Sequence, residues 1–144
     1  VASCDLAYAS SSAKFATPGV NIGLFCSTPM VAISRNLSNK HSMEMLLTGE
    51  LISSDKAAKI GLINDVIEIN ELKDFVLDRA QKISKKSSAT LKIGKEAFYK
   101  QIDMKLSDAY DYASKVMVQN MLKLDAKEGI DAFIDKREPN WKDK

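Results

Sequence analysis

The sequence predicts an α/β chain with its strands in the first half and its helices in the second. Three observations carry this. Val1 to Ala9 and Leu62 to Ile67 are apolar, strand-like runs bounded by Ser, Gly and Asn. From Asn70 onward the apolar residues recur at helical spacing. Between these regimes, Phe15 to Pro29 is irregular and rich in Gly and Pro.

Taken in order, residues 1–9 are expected as a buried strand of small side chains, with Cys4 as a small buried hydrophobe. Ser10-Ser11-Ser12 is a turn, and Ala13 to Thr17 is a short second strand. Pro18 fixes its own φ and biases Thr17 toward extended backbone, so the strand ends there. Gly19 and Gly23 permit positive φ or a close backbone approach. Thr28-Pro29 has the form of an N-cap followed by proline at the first helical position. The helix that follows runs to Asn36, with Met30, Ile33 and Leu37 on one face. Ser38 or Asn39 caps the next helix, whose inward residues are expected to be Met43, Leu46 and Leu47.

Thr48-Gly49 breaks that helix, and Glu50 to Ile52 is a brief extended piece. Ser53 caps a short helix with Ala57, Ala58 and Ile60 inward, and Gly61 stops it. Leu62 to Ile67 alternates as a strand does. Leu72, Phe75, Val76, Ala80 and Ile83 then mark one helix, Thr90 to Lys100 a second, and Leu106 to Met121 a third. Asp125-x-x-Glu128 has the form of a capping box opening the last helix, which carries Ile130, Phe133 and Ile134 on one face and is ended by Pro139.

At 144 residues this is one domain's worth of chain. A net charge of +2 with 28% charged residues argues for neither a nucleic-acid nor a membrane surface. Cys4 and Cys26 have no second Cys or His at ligand spacing, so no metal site is expected. His41, the one histidine, lies in a helical stretch where a surface or cap role is expected, not catalysis. The apolar residues of the second half fall on more than one side of their helices. Tyr110 with Tyr112, and Met117 with Val118, cannot all face one core. A deep core and an oligomer interface both fit this pattern.

Several motifs together resemble the crotonase, or enoyl-CoA hydratase/isomerase, superfamily. They are Cys4-Asp5-Leu6-Ala7-Tyr8-Ala9, Ala13-Lys14-Phe15, Pro18 and Gly23-Leu24, then Leu47-Thr48-Gly49, Ile52-Ser53, Ala57, Gly61-Leu62-Ile63 and Val66. Glu128-Gly129-Ile130, Ala132-Phe133 and Lys136-Arg137 close the set. The resemblance covers nearly the whole chain and matches the C-terminal half of the family. It implies a remainder of a ββα spiral core over residues 1–68 and a helical C-terminal region over 69–144. It also implies an acyl-CoA ligand held as a coenzyme A thioester without a further cofactor, assembly into trimers or hexamers, and a mitochondrial setting in fatty acid metabolism.

The same resemblance places the chemistry. Hydration of an enoyl thioester needs N–H donors for an enolate-like oxygen and a carboxylate pair for water and proton. In family hydratases one glutamate and both backbone donors lie upstream of the strand that begins at Val1, so a preceding segment is expected. The second glutamate follows the residue matching Pro18, and here that position is Gly19. The extra aspartate of the family's dienoyl isomerases matches Ser27. No catalytic carboxylate carries over. The ligand-binding positions that do carry over are Pro18, Asn21, Phe133 and Lys136, and an Asn21 amide orients a ligand without acting as a base. The resemblance implies that Phe133 and Lys136, three apart on one helix face, reach toward the coenzyme A of a neighbouring subunit; a core Phe133 with a solvated Lys136 is the competing expectation. Two functions stay open: a hydratase/isomerase-like protein whose 144 residues are inactive alone, and a non-catalytic acyl-CoA-binding or subunit-assembly module. A free-standing helical interaction domain is disfavoured by the strand expected at Cys4 to Tyr8, which needs sheet neighbours.

Overall fold

A computed structural model describes all 144 residues. The order of elements is β1 (Tyr8–Ser10), β2 (Lys14–Phe15), a 3-10 turn (Pro18–Ile22), α1 (Ser27–Asn36), α2 (Asn39–Thr48), β3 (Ile52–Ser53), α3 (Ser54–Lys59), β4 (Asp65–Ile67), α4 (Leu72–Ser84), α5 (Ser88–Gln101), α6 (Leu106–Met121) and α7 (Leu124–Ile134). The fold is thus mixed α/β, with short strands before Asn70 and helices after it. Two compact units divide it, Val1–Asp78 and Arg79–Lys144. None of the helices is long and apolar enough to cross a membrane.

In the first unit β1 pairs in parallel with β4, Tyr8 opposite Asp65 and Ser10 opposite Ile67, and β2 pairs antiparallel with β3. Parallel neighbours require a crossover, and here it contains α1, α2 and α3. The core collects Ala9, Ile33, Leu37, Met45, Ala57, Leu62 and Ile63, with Phe15, Ile52 and Val66 partly buried against it. Fully burying a side chain of Leu or Met size contributes roughly 1.5–3 kcal/mol.

The first strand is shorter than the sequence suggests. Residues 1–7 form turns, and Cys4 is exposed rather than buried. The reason is pairing: β4 offers only three residues, so the ladder stops at Tyr8. Upstream of it, backbone groups find other partners, with the Asn36 amide donating to Ala2 O at 2.8 Å and Ala7 N–H donating to Asn64 Oδ1 at 2.7 Å. The last strand likewise narrows from Leu62–Ile67 to Asp65–Ile67, because Leu62 and Ile63 are buried in the turn after α3.

Helix starts follow the sequence in part. Ser38 caps α2 by accepting from His41 N–H, and Ser53 caps α3 by accepting from Lys56 N–H. At α1 the cap is Cys26, without a side-chain bond, and Thr28 lies inside the first turn. Pro29 is tolerated there because first-turn N–H groups have no intrahelical acceptor.

The inward face of α2 is Ser42, Met45 and Leu46, while Met43 and Leu47 are exposed. The sequence alone favoured the apolar Met43 and Leu47. Ser42 is small enough for close packing there, and its hydroxyl donates to Ile33 O of α1 at 3.5 Å. The buried Thr17 hydroxyl then fixes this face by donating to Met45 O at 2.8 Å.

In the second unit α5, α6 and α7 pack on one another. Their outer faces keep large apolar side chains in solvent, including Tyr110, Met117, Val118, Leu122 and Ile134.

Candidate functional site

The loop after β2 belongs to the first unit. Thr17 is buried and anchors the chain to α2, and Pro18 then opens the 3-10 turn. Gly23 closes that turn at φ 80, a left-handed conformation suited to glycine. Leu24 N–H returns to Gly19 O at 2.9 Å, which folds the loop onto its own start. Cys26 Sγ accepts the Gly19 N–H at 3.3 Å.

Gly19 itself is needed for close approach rather than for φ. A Cβ there would sit 2.5 Å from Leu24 O and 2.8 Å from Cys26 Sγ. Of the sequence-derived positions, Pro18 and Asn21 lie exposed on this turn, and the Asn21 amide reaches Gly49 O at 3.5 Å. Ser27 is the first residue of α1, and its hydroxyl donates to Phe25 O at 3.3 Å. Phe15 to Pro29 contains no Asp or Glu, and Ile22, Leu24 and Phe25 leave an apolar rim in solvent.

Phe133 and Lys136 belong to the second unit. Phe133 is 84% exposed, so the core role is overturned. Lys136 is not on the helix: α7 ends at Ile134 with Asp135 as its C-cap, and Lys136 stands at φ 53. Lys136 N–H donates to Phe133 O at 3.3 Å and Arg137 N–H to Ala132 O at 3.0 Å. These two bonds make a Schellman turn, whose left-handed position is ordinarily glycine. Phe133 and Lys136 are therefore joined by a backbone bond at the helix end and do not share a helical face.

The two acids of α7 depart from the capping box. Lys123 is the N-cap, and Asp125 and Glu128 instead hold the residues that follow the helix. Asp125 is 1% exposed and accepts from Lys142 N–H at 2.7 Å and Asp143 N–H at 3.0 Å. The Ser87 hydroxyl, with those two N–H groups, pulls its carboxyl below the usual value against desolvation and the charge of Glu128. Glu128 takes both arms of the Arg137 guanidinium, at 2.7 and 3.1 Å, and Asn140 N–H at 2.7 Å. Trp141 lies against Gly129, where a Cβ would meet its ring at 3.2 Å, and its Nε1–H donates to Lys85 O at 2.8 Å. The sequence reading had missed Ser87, Asp125 and Trp141 as a unit. The available signal was an acid pair at i, i+3 followed by Arg137 and the single Trp.

Glu128 also makes this arrangement pH-dependent. Hydrogen bonding to Arg137, then to Asn140, lowers its pKa from 4.5 to about 2. A depressed carboxylate stabilises fully above its unfolded value and loses that stabilisation as pH falls through the folded value. The charged groups facing it are Arg137, Asp125 and Lys142. Asp125 shifts in the same direction. Trp141 fluorescence, from the one Trp in the chain, is expected to report release of the C-terminal residues between about pH 4.5 and about 2. Glu128→Gln should flatten that acid transition, and an unchanged transition in the variant would remove Glu128 from it.

Comparison with known proteins adds a family. A family model described as enoyl-CoA hydratase/isomerase matches residues 1–144. Enoyl-CoA hydratase domain-containing protein 3, mitochondrial, of Rattus norvegicus is 50% identical over 141 residues, covering 98% of this chain and 47% of the relative. The Homo sapiens protein of the same name is 48% identical, covering 98% of this chain and 46% of the relative. The chain thus spans about half the length of the curated relatives it matches. The crystal structure of the human domain-containing protein 3 superposes with a TM-score of 0.94 at 47% identity, covering 97% of this chain and 55% of that one. An enoyl-CoA hydratase structure from Mycobacterium smegmatis gives a TM-score of 0.94 at 46% identity, covering 97% and 55%.

Proposed function

Since the chain belongs to the enoyl-CoA hydratase/isomerase, or crotonase, family, we propose that its 144 residues bind an acyl-CoA thioester and do not complete the hydration of an enoyl-CoA by themselves. The observation that carries this reading is Gly19. It stands where the family resemblance puts a hydratase carboxylate, and its surroundings leave no room for a side chain. The polar group next in line, the Asn21 amide, donates and accepts hydrogen bonds but has no proton to exchange near neutral pH.

Binding is supported by different residues. The exposed rim of Ile22, Leu24 and Phe25 suits an acyl chain, with Pro18 and Asn21 beside it in the sequence. Following the family resemblance, the exposed Phe133 ring suits the adenine, and the Lys136 ammonium a phosphate, of a coenzyme A held by a neighbouring subunit. The relatives named as mitochondrial support a mitochondrial setting for this role.

Calorimetric titration with coenzyme A at two salt concentrations tests the reading. Lys136→Ala is expected to weaken binding and make it less salt-sensitive, while stability stays within roughly 0.5 kcal/mol of the parent. Equal affinity for parent and variant at both salts would remove Lys136 from the site.

A homo-oligomer, a trimer or dimer of trimers, is part of the same proposal. The exposed Leu106, Tyr110, Met117, Leu122 and Ile134 form the surface available for it. Light scattering at high micromolar concentration is expected to give a mass above 15.9 kDa, and a clean monomer would count against assembly.

A further inference from the structure

Lys136 is held in an unfavourable backbone conformation from both sides. Its φ of 53 is in the left-handed region, where a side chain is crowded by the neighbouring carbonyl. Such a residue persists only where its surroundings over-determine it, and that pattern gathers at ligand sites. Upstream, the surroundings are the end of α7. Downstream, they are the last eight residues, fastened back onto the helix the chain has just left. Arg137, the next residue, forks onto Glu128, and its Nε lies 3.5 Å from Asp135 Oδ2. Asn140, Lys142 and Asp143 donate backbone N–H groups to Glu128 and Asp125. Asp143 Oδ1 then accepts Ser88 N–H at 2.8 Å at the start of α5, and Asp125 N–H reaches Lys144 O at 3.3 Å. Between them, the Trp141 ring rests on Gly129.

We infer that residues 137–144 are a positioning clasp: Glu128, Asp125 and Trp141 close it, and the closed clasp fixes the turn that presents Lys136 beside Phe133 to the phosphate group of an adenine-nucleotide ligand. This rests on the proposed coenzyme A reading. It adds that affinity depends on residues that touch no ligand. A flexible lysine loses side-chain and backbone freedom on binding, and a pre-set turn has already lost the backbone part. Opening the clasp restores that freedom and lowers affinity without removing the ammonium.

The test uses the whole chain and coenzyme A as probe, with Glu128→Gln as the opening variant and trypsin cleavage after Lys136 and Arg137 as the measure of opening. Glu128→Gln is expected to speed that cleavage and to weaken coenzyme A binding roughly 2- to 30-fold, the range of residues acting through another site. Its salt dependence should match the parent, because Lys136 still meets the phosphate, and Glu128→Asp should recover part of the affinity. Lys136→Gly should keep the turn closed, lose affinity and flatten the salt dependence. If Glu128→Gln does not fold, Trp141→Phe serves instead, since it keeps a ring on Gly129 and loses only the bond to Lys85 O. Faster cleavage with unchanged affinity overturns the clasp, as does weaker binding with unchanged cleavage. No effect of Lys136→Gly overturns the coenzyme A reading itself, which separates the two failures.

Discussion

The purified 144-residue chain is expected to hydrate a short enoyl-CoA at least about 10²–10⁴-fold more slowly than a hydratase with an acid–base carboxylate after the loop proline. That range is the typical worth of one general acid–base group. By the family resemblance that group falls at Gly19, and Phe15 to Pro29 supplies no side-chain carboxylate in its stead. A spectrophotometric assay of enoyl thioester absorbance at high protein concentration measures it. Turnover that survives repurification and tracks the protein would sink the binding reading and restore catalysis.

Installing the missing carboxylate is expected to fail for a packing reason. At Gly19 even a methyl group meets the backbone oxygen of Leu24 at 2.5 Å and Cys26 Sγ at 2.8 Å. One of these is backbone closed by the Leu24 N–H bond to Gly19 O, so the loop must move before any side chain fits. Gly19→Ala is expected to destabilise the chain by about 1–3 kcal/mol, the usual range for overpacking. At a compatible site the same change would stabilise by roughly 0.4–1 kcal/mol, so the sign decides. Gly19→Glu should be at least as destabilising and should leave hydration unchanged. Urea unfolding followed by far-UV circular dichroism gives the comparison. An alanine variant as stable as the parent would show that the loop yields easily. A glutamate variant that gains hydration activity would show that the site lies elsewhere.

The acid transition of the C-terminal residues and the Lys136 titration probe the other unit. Neither depends on how Gly19 is packed. They separate a failure of the loop argument from a failure of the coenzyme A argument.

Local order was legible in the sequence where the signal is local. Ser38 and Ser53 cap helices because a short hydroxyl beside three free N–H groups has few better partners. Gly49 and Gly61 end helices at φ 60 and 85, where other residues are crowded. The helical period after Asn70 is legible directly, and the set of motifs from Cys4 to Arg137 carries the family. What needed distant partners was decided only in three dimensions. Residues 1–7 are strand-like in composition, yet a strand needs an edge to pair with, and β4 provides three residues of it. Ser42 takes the inner face of α2 in place of Met43 where that face meets other elements, through Ser42 to Ile33 O of α1 and Thr17 to Met45 O. Asp125 and Glu128 have capping-box spacing, but they are taken by Arg137 and the N–H groups of residues 140–143, which no short-range pattern places nearby. For the same reason Lys136 left the helical face that its spacing from Phe133 suggested. A Schellman turn is fixed by bonds reaching back to Ala132 and Phe133, and its left-handed residue is a conformation that sequence spacing does not encode.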